Sequence, residues 1–273
     1  MIRRGFTLIE LLVVVGIIAI LIGILVPALS HARTVAQKAA TNSLMSQLQG
    51  SIAQYYSTFN AYPGPASLNE TAGNQKSMSG AQNMLLGLSY AMLQTAQTGT
   101  IAIPFANGPQ PFVNPTMATG PINYASTNVL TGGGQQLSPF FTVTPKNTAT
   151  IPANSFAFPV VMDAFSDPLP ILYYRKVPGV DTKQATGPYY GAENAEYTTV
   201  GKTLKSPSGA TFTQPKTLLD GDITALATTV DPNGTSIVRG GYILISAGVD
   251  RVYNGPTIPG SPPSDDIVVV GGD

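Results

Sequence analysis

Chemistry is first implied where a carboxylate stands among aliphatic side chains. Glu10 is the only ionisable residue between Thr7 and Ser30, and Leu11 to Val26 reads Leu-Leu-Val-Val-Val-Gly-Ile-Ile-Ala-Ile-Leu-Ile-Gly-Ile-Leu-Val. A carboxylate in hydrocarbon costs roughly 2.5 to 3.5 kcal/mol even on lenient insertion scales, so a positive partner for it is a functional question. A cut between Gly5 and Phe6 would create an α-amino group four residues ahead of Glu10. In staggered parallel helices the amine of one copy would neutralise Glu10 of the next, which is cheaper than leaving either charge bare. The same cut would remove Arg3 and Arg4 and free the helix to be lifted from a bilayer.

Other groupings carry less. Glu193 with Glu196, or Asp163 with Asp167, are acidic pairs of the type glycosidases use, with nothing else beside them to make an active site. Gly87-Leu88-Ser89-Tyr90-Ala91 falls short of a nucleophile elbow and has only His31 to serve it. His31 sits where the helix would leave the bilayer and reads as an interfacial polar residue. With Cys 0 and His 1, thiolate zinc sites, iron–sulfur clusters, disulfide scaffolds and multi-histidine metal centres are excluded. Asp220-Gly221-Asp222 and Asp231-Pro232-Asn233-Gly234 read as turns. Asp250, Asp265 and Asp266, in a Gly/Pro-rich stretch, could be turn and cap residues.

The elements that must position these groups begin with the apolar run itself. With its flanks it approaches the ~20 residues of a membrane-crossing helix, and Arg3 and Arg4 ahead of it predict a cytoplasmic N-terminus with everything after Ser30 on the far side. A plain signal anchor fits this pattern. A cleaved secretory signal around Ser30-His31-Ala32 is disfavoured because the run exceeds the ~7 to 15 residues of an h-region. A twin-arginine signal from Arg3-Arg4-Gly5-Phe6 is opposed by Glu10 inside the run. Gly16 and Gly23 fall near one helix face and could let helices approach closely.

Beyond Pro27 the pattern becomes periodic. Leu44, Leu48, Ile52, Tyr55 and Phe59 form one stripe of a 3.6-residue helix, with Gln37, Lys38, Asn42, Gln47 and Gln54 on the polar side. Tyr62-Pro63-Gly64-Pro65 ends it, and the rod from Phe6 to Asn60 would be about 80 Å long. From Ser77 to Met162 the sole charged residue is Lys146, which reads as a large, nearly uncharged insertion over 77–162. Within it Ala81 to Gln94 looks helical, with Met84, Leu85, Leu88 and Met92 on one face, and Ile101 to Pro152 reads as loops and short strands around Gly132-Gly133-Gly134. Strands are predicted at Phe156–Met162, Ile171–Val177, Tyr242–Ser246 and Ile267–Val270. The class is therefore α+β: a long helix packed on a small antiparallel sheet. Lys+Arg and Asp+Glu are equal at 14 and the charges are not clustered, so no nucleic-acid partner is implied.

Met1-Ile2-Arg3-Arg4-Gly5-Phe6-Thr7-Leu8-Ile9-Glu10 followed by the apolar run resembles the class III signal of type IV pilins and of the pseudopilins of type II secretion. The resemblance implies a leader over 1–5, a transmembrane helix over 6–29, its amphipathic continuation over 30–60 and an extracytoplasmic head over 61–273. It implies cleavage after Gly5 by a prepilin peptidase, N-methylation of Phe6, a helix-bending role for Pro27, and a bacterial inner-membrane assembly platform that packs Phe6, Glu10 and the apolar helix into a filament with other pilin-like subunits. The expected role is structural and not enzymatic. Asp163-Ala164-Phe165-Ser166-Asp167-Pro168 before Ile171-Leu172-Tyr173-Tyr174-Arg175 is similar to a segment of the major pseudopilin. So is Tyr242 to Asp250 with Asp265-Asp266-Ile267. The family binds Ca²⁺ at the second segment, which implies Asp250, Asp265, Asp266 and the Ala247 carbonyl as ligands. This chain departs from the pattern there: Arg251 stands where the family usually has glycine, and the loop holds Pro256, Pro259, Pro262 and Pro263. The head is larger than in major subunits of the family. A minor or tip subunit acting as an adhesin or binding module, or a plain membrane-anchored domain, therefore stays open.

Overall fold

The structure, a computed structural model, describes residues 8–60, 62–63, 67–68, 76–77, 79–89, 92–93, 101–102, 112–113, 136–137, 139–144, 147–150, 159–176, 189, 191–214, 217–218, 220–230, 236–238, 240–253 and 265–272. Its first element is a single helix, α1, Leu8–Phe59, 52 residues long and unbroken through Pro27. Pro27 removes one intrahelical N–H without ending the helix. The helix stops where Asn60 turns into the left-handed region at φ 51, a backbone state that asparagine tolerates and that commonly closes helices.

The sequence pattern explains how α1 is used. Leu8 to Leu29 is apolar on every side and exposed on every side, whereas Leu44, Met45, Leu48, Ile52 and Tyr55 are buried beneath the head, as the stripe predicts. The side chain of Phe59, the last position of that stripe, lies outside the described residues.

Behind this half of α1 stands a three-stranded antiparallel sheet with Tyr242–Ser246 in the centre, flanked by Ile267–Gly271 and Leu172–Arg175. The register pairs Ser246 with Ile267 and Tyr242 with Gly271 on one side, and Tyr242 with Arg175 on the other. Alternation along the central strand sends Tyr242 and Leu244 toward α1, where they join Leu48, Ile52, Tyr55 and Tyr173. It sends Ile243 and Ile245 into a second cluster with Leu172, Tyr174, Tyr197 and Tyr253. Both faces are covered, which is why the strand is a continuous apolar run. Strand ends shift slightly from the sequence reading: the observed spans are Pro159–Val161 and Leu172–Arg175, while Phe156 to Phe158 and Val177 lie outside the described residues.

A second helix, α2, Gly80–Ser89, fills the space between α1 and the sheet. Ser79 and Gln82 form a capping box: the Gln82 amide donates to Ser79 Oγ at 3.2 Å and the Ser79 amide to Gln82 Oε1 at 3.0 Å. Asn194 clamps the same end, its Oδ1 accepting from the Ala81 amide at 3.2 Å and its Nδ2 donating to the Tyr173 carbonyl at 2.7 Å. Gly80 is required here, since an added Cβ would run into that carbonyl. Within the stretch 77–162, α2 and Pro159–Val161 contribute side chains to the core. The helix is also shorter than expected. The Leu88 carbonyl, which would continue the helical ladder, instead accepts from the amides of Phe140 and Phe141 at 2.8 and 2.9 Å. Met92 and Leu93 pair as a strand with Leu137 and Gln136. Further short pairs join Ser67–Leu68, Lys76–Ser77, Phe112–Val113 and Ile101–Ala102. Asp220-Gly221-Asp222 opens the helix Asp220–Ala227 where a turn was expected. Asp231 to Gly234 and Gly132 to Gly134 lie outside the described residues.

Candidate functional site

Two places carry the residues singled out by the sequence. At the start of α1, Glu10 lies in the first helical turn and is exposed. Gly5 and Phe6 lie outside the described residues. Behind Glu10, Leu12, Leu21, Ile24 and Leu25 are all more than half exposed, and the helix is long and apolar enough to cross a membrane. An apolar surface all round a helix is stable only when lipid or other helices cover it. Pro27 sits within this exposed stretch, and His31 follows it, also exposed.

The second place is the loop after Tyr242–Ser246. Ala247 is buried in the second cluster, and Gly248 follows at φ 64 with its Cα against the Asp265 backbone, so that a Cβ would clash there. Carboxylate oxygens of Asp250, Asp265 and Asp266 lie within 4.8 Å of one another. Asp265 Oδ2 accepts from the Val249 amide and, at 3.0 Å, from the Asp250 amide. Asp250 Oδ1 accepts from the Val252 amide at 2.9 Å. The three aspartates named from sequence are thus brought together, and a set of hard carboxylate oxygens at this spacing fits the demands of a calcium-like cation.

Arg251 does not enter that cluster. Its side chain turns inward and is buried, donating from Nη2 to both Asp163 oxygens at 2.9 Å, from Nε to the Asp167 carbonyl at 2.9 Å and from Nη1 to the Gly248 carbonyl. The guanidinium also lies 4.9 Å from the ring centroid of Phe165. Arg251 adopts φ 62, a left-handed state that costs an L-residue about 1 to 2 kcal/mol. Asp163 further accepts from Ser246 Oγ at 3.0 Å and from the Leu169 amide at 3.2 Å. Burial pushes the Asp163 carboxyl above its ordinary range, and the Arg251 guanidinium, the Leu169 amide and the Ser246 hydroxyl pull it back.

Members of the acidic pairs that resembled catalytic ones have structural partners. Asp163 is the partner of Arg251, and Asp167 accepts from Ser208 Oγ at 2.5 Å. Glu193 is paired with Arg175 at 2.8 Å, and burial pushes its carboxyl up while Arg175 draws it down. Ser89 closes α2 and is on no elbow. The turn over 163–168 is fastened on its other side to α1: the Ala164 amide donates to Thr41 Oγ1 at 3.1 Å and Gln37 Nε2 to Ser166 Oγ at 2.7 Å. Sequence reasoning did not find Thr41 or Asn194, which make contacts 123 and 113 residues away along the chain. A large cation in place of an expected loop glycine was the signal for Arg251.

Fold and site together define a class: a single long helix with an apolar, exposed first half carrying one acid, and an α+β head packed on its second half. Residues 1–26 match the prokaryotic N-terminal methylation motif. No curated protein and no solved structure matches the chain. Over residues 1–26 the chain is similar to type IV pilin-like proteins, which carry the motif at the head of an apolar helix.

Proposed function

We propose that the chain is a structural subunit of a type II secretion pseudopilus or a type IV pilus-like filament. It is cut after Gly5, methylated at Phe6 and held in the inner membrane with its N-terminus cytoplasmic and its head extracytoplasmic, until the assembly platform draws it into the filament. The supporting observation is the exposed apolar half of α1 lying directly behind the methylation motif. Its chemistry is charge neutralisation: the Phe6 amine of one subunit meets Glu10 of the next, and the aliphatic side chains up to Leu29 exchange lipid for neighbouring helices. This role asks for no catalysis. The test is intact mass spectrometry of the protein taken from its native membrane, with a chain beginning at N-methylated Phe6 expected. A chain that retains Met1, or one cut after Ala32, would mean an ordinary anchor or a released head.

The near absence of charge between Ser77 and Met162 favours a second reading, a minor or tip subunit whose head binds a partner. Quantitative mass spectrometry of sheared filaments separates the two readings, since a tip subunit is present at a small fraction of the major one. The acidic loop is proposed as a Ca²⁺ site held by Asp250, Asp265 and Asp266, with the Ala247 carbonyl as a further ligand. Titration calorimetry on the full chain in detergent, after chelation, should show calcium binding that Asp265→Ala weakens by tenfold or more. Equal binding by that variant would rule the cluster out.

A further inference from the structure

The guanidinium of Arg251 touches three points that no other group joins among the described residues. One is the carbonyl of Gly248 in its own loop, and the other two are the Asp167 carbonyl and the Asp163 carboxylate in the turn over 163–168. On its far side that turn is bonded to α1 through Thr41 and Gln37, and to the hairpin Thr203–Thr213 through Ser206 and Ser208. Three carboxylates converge on the outer side of the loop, and like charges brought this close add an unfavourable term to keeping it closed. Here a positive charge is already built into the chain on the inner side, in charge-assisted hydrogen bonds from Nη2 to both Asp163 oxygens. The backbone at Arg251 is left-handed and its side chain is buried on the inner side, away from the three carboxylates.

We propose that Arg251 is the positioning residue of the C-terminal acidic loop: it holds the loop closed without a bound cation and ties it, through the turn over 163–168, to α1. The loop amides of Val249, Asp250, Val252 and Tyr253, and the turn amides of Asp163, Ala164 and Leu169, are then protected by one shared clamp. Only the calcium arm of the test below rests on the reading of the loop as a Ca²⁺ site.

The test is hydrogen exchange read by mass spectrometry on the full chain in detergent, in EGTA and then in calcium. Wild type in EGTA should protect both 248–253 and 163–169. Arg251→Asn, which suits the left-handed backbone but cannot reach Asp163, should exchange tenfold or more faster in both stretches while Tyr242–Ser246 and Leu172–Arg175 stay protected. Should that variant lose its sheet, Arg251→Lys, which keeps the charge without the fork, should show an intermediate loss in the same two stretches. Unchanged exchange in either folded variant overturns the proposal, and so does a wild type that is protected only when calcium is added. Calcium that re-protects 248–253 in Arg251→Asn supports both readings. If wild type is closed in EGTA and calcium restores nothing in the variant, the positioning role stands and the calcium site falls.

Discussion

Helix α1 is one continuous element with two kinds of surroundings. Leu8 is 82% exposed and Leu25 65%, while Met45, Leu48, Ile52 and Tyr55 are at 0%. The side chains are similar in type, so the difference lies in their arrangement. The first half is apolar all round and is satisfied only by surroundings on all sides, which lipid or a bundle of like helices provides. The second half confines its apolar side chains to a stripe, and a stripe can be covered by the chain's own head. On the proposed role one helix separates assembly from folding along its length, and variants in each half should fail in different assays.

The largest effect expected is on assembly. Glu10→Ala should leave the protein in the membrane with a normal head but reduce its incorporation into filaments to background, as scored by immunoblotting sheared filaments against membranes. Normal incorporation would remove the charge-pairing argument. Next is the buried stripe: Leu48→Ala should lower head stability by about 2 to 5 kcal/mol through the cavity it leaves, whereas Leu21→Ala, equally apolar but exposed, should leave head unfolding unchanged. The tyrosine circular dichroism signal follows both, and equal losses would erase the distinction between the two halves. Gly80→Ala should cost about 1 to 3 kcal/mol in the same assay, because the new methyl meets the Tyr173 carbonyl. A variant as stable as the parent would show that α2 has room to shift. The smallest effect is at the border between the halves, where Thr41→Val removes the acceptor of the Ala164 amide. About 1 kcal/mol and faster exchange at Ala164 are expected, and no change there would mean that the turn is not fastened to the helix.

The features legible in the sequence are those that depend on near neighbours. The exposed run, the stripe from Leu44 to Tyr55, and the strands Tyr242–Ser246 and Ile267–Gly271 follow from hydrophobic spacing, which one stretch of chain carries by itself. The gathering of Asp250, Asp265 and Asp266 was legible only through resemblance, since their meeting depends on the register of two paired strands. What was not legible depends on partners far along the chain. The end of α2 at Ser89 is decided by the amides of Phe140 and Phe141, and its start by Asn194. The role of Asp163, which in sequence looked like half of a catalytic pair, is decided by Arg251, 88 residues later.

The strand order carries a consequence for how the molecule is made. The middle strand of the core sheet is Tyr242–Ser246 and one of its neighbours is Ile267–Gly271, in a chain of 273 residues. Helix α1 is synthesised well before the sheet that must cover its stripe, and that sheet cannot close until Ile267–Gly271 has been delivered. Leu48, Ile52 and Tyr55 therefore wait uncovered by the sheet while the intervening chain is made, and transiently exposed apolar surface of this kind is aggregation-prone. A chain interrupted before Ile267 would keep the apolar first half of α1 but lack the strand that completes the cover over its second half.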